Sequence, residues 1–128
     1  MLPRRSATLA TAIALFAAPA SALAHPKLVA STPTANATVA APAMLSLGFS
    51  EKLVPRFTGA TVTMTSMPGM AMNKPMAVGT VAPAFGRDGK TLLLKPAHAL
   101  TPGAYRVEWH AVAADTHRTS GAFAFTVK

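Results

Sequence analysis

The chain has 128 residues, a formal net charge of +8, no cysteine and seven methionines. Without cysteine it forms no disulfide and no thiolate metal site, so any soft donor must be a thioether. Its basic residues are scattered singly from Lys27 to Lys128, without the clustered, aromatic-interleaved patch of a nucleic-acid groove, so no nucleic acid is expected as a partner.

Residues 1–24 read as a secretory signal peptide. Arg4 and Arg5 open the segment, an apolar run from Leu9 to Ala18 follows, and Ala22-Leu23-Ala24 closes it. The run falls short of the about 20 apolar residues that a spanning helix needs, so it is expected to be removed rather than to anchor the chain. Cleavage after Ala24 is expected to leave one domain, residues 25–128, secreted or periplasmic, with His25 first. No second stretch is apolar enough to cross a bilayer.

From Pro26 to Pro102 prolines recur too often for helices of ten or more residues. Between them lie seven β-prone runs: 27–30, 44–49, 60–65, 76–81, 91–95, 104–113 and 121–127. Such spacing predicts an all-β sandwich or barrel. Alternation assigns Leu45, Leu47 and Phe49 to one buried face, as it does Tyr105, Val107 and Trp109, and Phe123, Phe125 and Val127. Gly86-Arg87-Asp88-Gly89 marks a hairpin turn.

His25 heads the domain. Processing would give it a free α-amine beside its imidazole, a pair able to chelate a metal, while Pro26 has no N–H to offer as a further ligand. Near the other end, Asp115-Thr116-His117 places a carboxylate and an imidazole two residues apart, which an extended backbone would aim to one side. Nitrogen ligands of this kind suit Cu(II), Ni(II) or Zn(II), and tetragonal nitrogen and oxygen coordination favours Cu(II) among them. His98, in a proline-flanked turn, and His110, beside Trp109, read as surface residues.

Residues 64–76 hold Met64, Met67, Met70, Met72 and Met76. Pro68-Gly69 breaks any helical reading of the three-residue spacing and predicts a loop at one end of the sandwich. A loop with Asn73, Lys74 and two prolines is a poor place to bury methionines, and thioethers select Cu(I).

His25-Pro26-Lys27-Leu28-Val29, Phe49-Ser50-Glu51, the methionine segment, Tyr105-Arg106-Val107-Glu108-Trp109 and Asp115-Thr116-His117 together resemble the CopC family of periplasmic copper-resistance proteins. The resemblance implies a cupredoxin-like, seven-stranded Greek-key β-sandwich with separate copper sites near its two ends. It implies Cu(II) held by the amine and imidazole of His25 and the imidazole of His117, with Asp115 or Glu51 as carboxylate. For Cu(I) it implies Met64, Met67, Met70 and Met76. Met72 stands where a methionine-rich member would carry a histidine, and Asn73-Lys74 adds a residue before Pro75; Met72 is a fifth candidate donor. A non-enzymatic copper carrier or buffer is expected, handing its ion to a membrane copper transporter or another copper protein. The rivals are a metal-free secreted interaction module, docking through its methionines, and a copper-dependent oxidative enzyme built on the N-terminal histidine.

Overall fold

The computed structural model describes residues 25–80 and 82–128. The expected signal peptide, residues 1–24, and Val81 of the 76–81 run lie outside the described residues. Nine strands follow in order: β1 (Leu28–Thr32), β2 (Thr38–Val39), β3 (Leu45–Phe49), β4 (Gly59–Met67), β5 (Met70–Val78), β6 (Ala84–Phe85), β7 (Thr91–Leu94), β8 (Gly103–Val112) and β9 (Arg118–Val127). A 3-10 turn, Pro55–Phe57, precedes β4. The two-residue β2 and β6 aside, seven strands remain, one for each run read from the sequence.

The strands form two sheets, in the orders β1-β3-β7-β6 and β2-β9-β8-β4-β5. All pairings are antiparallel except β2 with β9. The alternating faces meet in one core, to which one sheet gives Leu45, Leu47, Phe49, Leu92 and Leu94, and the other Val62, Met64, Tyr105, Val107, Phe123, Phe125 and Val127. This is the expected all-β Greek-key sandwich. Its hydrophobic faces are removed from water without any covalent staple.

Trp109 is only partly buried. Its ring meets Phe49 edge-on at 5.1 Å, joining the two sheets. Gly121, its cross-strand partner, makes room for the indole, because a Cβ there would lie 2.6 Å from Trp109 Cζ2. In the β6–β7 turn Asp88 accepts hydrogen bonds from the Lys90 N–H (2.9 Å) and the Thr91 hydroxyl (3.0 Å), which hold its carboxyl below the usual carboxylate range.

One expectation about the methionine segment is corrected. It is not a loop but the body of the β4–β5 hairpin, turning at Pro68-Gly69, with Gly69 at a φ of 71°. The turn itself was legible. The strand character of residues 70–75 was masked by Lys74, Pro75 and a break in the ladder, described below.

Candidate metal centre

The β8–β9 turn brings Asp115 and His117 to the start of β1. Pro26 is fully buried there, its carbonyl accepts a 2.7 Å hydrogen bond from the Thr119 hydroxyl, and Lys27 exchanges hydrogen bonds with Ser50. The chain entering β1 is therefore pinned on both sides. His25 follows from that anchorage: its Nδ1 lies 3.1 Å from Asp115 Oδ2, and His117 Nδ1 lies 3.5 Å from the same oxygen. The two imidazoles meet at 67° with centroids 4.8 Å apart.

Donor atoms from His25, Asp115 and His117 all lie within 4.8 Å of one another. Two ligands on opposite sides of a first-row ion are separated by about 4 Å at bond lengths near 2 Å, so a small closure of the two exposed imidazoles would suffice. Asp115 is the fixed member. Its side chain is 3% exposed, and its Oδ1 accepts the His117 N–H at 3.1 Å. Glu51, in the bend after β3, does not join the group.

The convergence of Asp115 and His117 arises differently from the sequence expectation. Thr116 is not extended but left-handed, with φ 65°, held by its N–H to the Ala113 carbonyl at 2.9 Å. A β-branched residue pays about 1–2 kcal/mol for that conformation. The tight turn, not a pleat, aims both side chains at one point.

At the opposite end of β8 lies the methionine hairpin. Met64 pairs with Met76 across β4 and β5, and Met67 pairs with Met70 beside the turn. In an unbroken strand a spacing of three would put Met64 and Met67 on opposite faces. Here Met64 faces Tyr105 of β8, but Ser66 already faces Ala104, so Thr65 is an extra, bulged residue. Ser66 shares the face of Ala104, opposite to that of Tyr105, and Met67 returns to the Tyr105 side with Met64. Cross-strand pairing brings Met70 and Met76 to that side as well.

On β5 the same break opposes residues 72–75 to Thr65 alone, which absorbs the Asn73-Lys74 addition and spares Pro75 a ladder bond. Met64 is buried at 5% exposure, while Met67, Met70 and Met76 are exposed at 38%, 64% and 53%; Met72 packs partly against the core. One thioether is thus embedded and three are presented. Gly103 permits the bulge, since a Cβ there would collide with the Ser66 carbonyl oxygen and approach Met64 Cε to 3.0 Å.

The two histidines read as plain surface residues have definite surroundings. His110 is half-buried between two surface grooves that share it with Arg118, and burial, then the positive charge of Arg118, holds its imidazole below the ordinary value. His98 lines a cavity with Met64 and Met76. No local sequence signal marks either placement, because both depend on long-range pairing.

Comparison with known proteins gives a consistent picture. Residues 28–128 match the family model described as "CopC domain". The chain is 50% identical over 125 residues to "Copper resistance protein C" of Xanthomonas campestris pv. juglandis, covering 98% of this chain and 97% of that one. It is 50% identical over 120 residues to the protein of the same description from Pseudomonas syringae pv. tomato, covering 91% and 94%. The crystal structure of PcoC, described as a methionine-rich copper resistance protein from Escherichia coli, superposes with a TM-score of 0.75 at 45% identity, covering 82% of this chain and all of that one.

Proposed function

The chain belongs to the CopC family, and from that premise we propose that it is a periplasmic copper-binding protein, a carrier or buffer for copper resistance, with one site for Cu(II) and another for Cu(I). The observation that carries the reading is the convergence of His25, Asp115 and His117.

Cleavage after Ala24 would turn the His25 amide into an amine. The ring nitrogen of His25 nearest Asp115 is Nδ1, the one that closes a chelate ring with that amine through Cα, Cβ and Cγ. Amine, two imidazoles and a carboxylate make a donor set suited to Cu(II), and the anchored Pro26 limits the entropy lost when His25 closes on the ion. Asp115 is favoured over Glu51 as the carboxylate because it already touches both imidazoles.

Thioethers on one face of the β4–β5 hairpin suit Cu(I), with Met64, Met67, Met70 and Met76 as donors and Met72 beside them. The two sites lie at opposite ends of β8, whose ten residues span about 30 Å at a strand's rise. An ion cannot pass directly between them. Each site exchanges with solvent or with a partner, as a carrier serving a membrane copper transporter requires, and no catalytic turnover belongs to this reading. Among the described residues, no helix is long and apolar enough to cross a membrane.

The test is copper titration of the protein beginning at His25 beside a version with one extra N-terminal residue, with Cu(II) followed by electron paramagnetic resonance and Cu(I) by chelator competition. Weakened Cu(II) binding in the extended version, with Cu(I) binding intact, is the expected result. If the native form binds neither ion tightly, the reading fails.

A further inference from the structure

We propose that His98 is a nitrogen donor to the methionine site, so that a soft ion is held between Met64, Met76 and His98 in a mixed sulfur and nitrogen environment. This rests on reading the β4–β5 hairpin as a Cu(I) site. The three side chains line one cavity of about 200 Å³, closed on its inner side by Val78, Leu100 and Tyr105.

The loop that carries His98 is tethered to the strand that carries Met76. The Ala97 N–H donates to the Gly79 carbonyl at 2.8 Å, and Thr80 forms a bridge with Pro96. Pro96 and Leu100 are buried on either side of His98, so the backbone there is fixed while the imidazole itself is exposed at the rim. The Tyr105 hydroxyl is already committed, donating to the Thr101 carbonyl at 2.6 Å. Among the cavity's polar side chains, His98 is therefore the one whose donor chemistry suits a soft metal.

The arrangement joins complementary properties. Met64 is buried and supplies a thioether from the apolar floor, Met76 is half-exposed opposite it on the neighbouring strand, and His98 lines the open rim of the same cavity. Thioethers select Cu(I), and imidazole is an accepted ligand for copper in either state. The outer pair, Met67 and Met70, lies farther along the hairpin, beside the turn. The hairpin then has an outer pair at its tip and an inner position, open at its rim, with one nitrogen donor.

The experiment compares the processed protein with its H98A variant, using Cu(I) chelator competition and X-ray absorption at the copper edge. The parent should show nitrogen together with sulfur scatterers, and H98A should lose the nitrogen and keep the sulfur. Partners that only orient a metal ligand are worth about 10–100-fold in affinity, so loss of a ligand should weaken Cu(I) binding at least about tenfold. Cu(II) resonance spectra and circular dichroism should be unchanged, because His98 lies outside the His25 group and its side chain is exposed. Sulfur-only coordination in the parent, or equal Cu(I) affinity in H98A, overturns the His98 assignment and leaves the thioether reading standing. A parent that binds no Cu(I) overturns both.

Discussion

Met64 and Met67 share a face of the β4–β5 hairpin although three residues separate them, because Thr65 is bulged from the ladder between them. With Thr65 in the chain, the bulge is what keeps Met64 and Met67 on one face. Deleting Thr65 should leave the alternation of Met64, Ser66 and Met67 in register with β8, so Cu(I) affinity should stay within about tenfold of the parent. Gly103→Ala acts on the same feature in the opposite sense. Its Cβ would strike the Ser66 carbonyl, which should cost about 1–3 kcal/mol in urea unfolding and weaken Cu(I) but not Cu(II) binding. Equal Cu(I) affinity in G103A would show that the bulge does not set the site.

On the proposed reading Asp115 has two separable roles, metal ligand and turn acceptor, which paired substitutions can resolve. Asp115→Asn keeps an oxygen for the His117 N–H but removes the negative charge, so it should weaken Cu(II) binding by about 10–100-fold with little change in stability. Asp115→Ala should lose the turn bond as well, at about 1 kcal/mol in denaturant unfolding. Glu51→Gln should leave Cu(II) affinity unchanged, and a loss there as large as that in D115N would reassign the carboxylate.

Thr116 keeps the turn tight at a cost in backbone energy. Asparagine tolerates the left-handed region better than a β-branched residue, so Thr116→Asn should raise stability by about 0.5–1 kcal/mol, read as a higher urea midpoint. The Asp115 and His117 positions should be preserved, and with them Cu(II) affinity. A lowered midpoint would mean that the threonine hydroxyl, which donates to the Asp115 carbonyl at 2.7 Å, matters more than the strain.

Much of this arrangement was legible in the sequence, and the rest shows what alternation cannot reveal. Leu45, Leu47 and Phe49 betray their strand because a half-buried strand must alternate. The methionine segment misleads for the converse reason: Lys74, Pro75 and the break opposite Thr65 spoil the alternation, so a paired strand reads as a loop. Asp115 and His117 were identified by residue type, yet the left-handed Thr116 that joins them carries no glycine or asparagine to announce it. His98 was beyond reach, because its cavity exists only once Ala97 pairs with Gly79.

His110 gives the fold a pH dependence of its own. Its imidazole is held below the ordinary value of 6.5, first by burial and then by Arg118, so the unfolded chain takes up the proton more readily than the native protein. Stability at this residue is complete above about pH 6.5 and is lost as the pH falls through the native value. His110→Gln should remove that part of the decline. The difference between wild type and variant unfolding, measured across this window without copper, should therefore narrow toward acid, and a constant difference would exclude His110 as the source.

The last prediction concerns how His25 is held. The Thr119 hydroxyl and the Pro26 carbonyl join β9 to the residue that follows His25, and Pro26 itself is buried. Thr119→Val keeps the shape of the side chain but leaves that carbonyl without its partner, at about 1–3 kcal/mol. The cost falls on the chain entering β1, so fraying there must be reversed before His25 can chelate. Cu(II) affinity should drop by about tenfold, since each 1.4 kcal/mol corresponds to that factor, while Cu(I) affinity at the far end of β8 stays constant. If both ions weaken equally, the effect is global unfolding. If neither does, the chelate forms without the anchor, and the buried Pro26 alone positions His25.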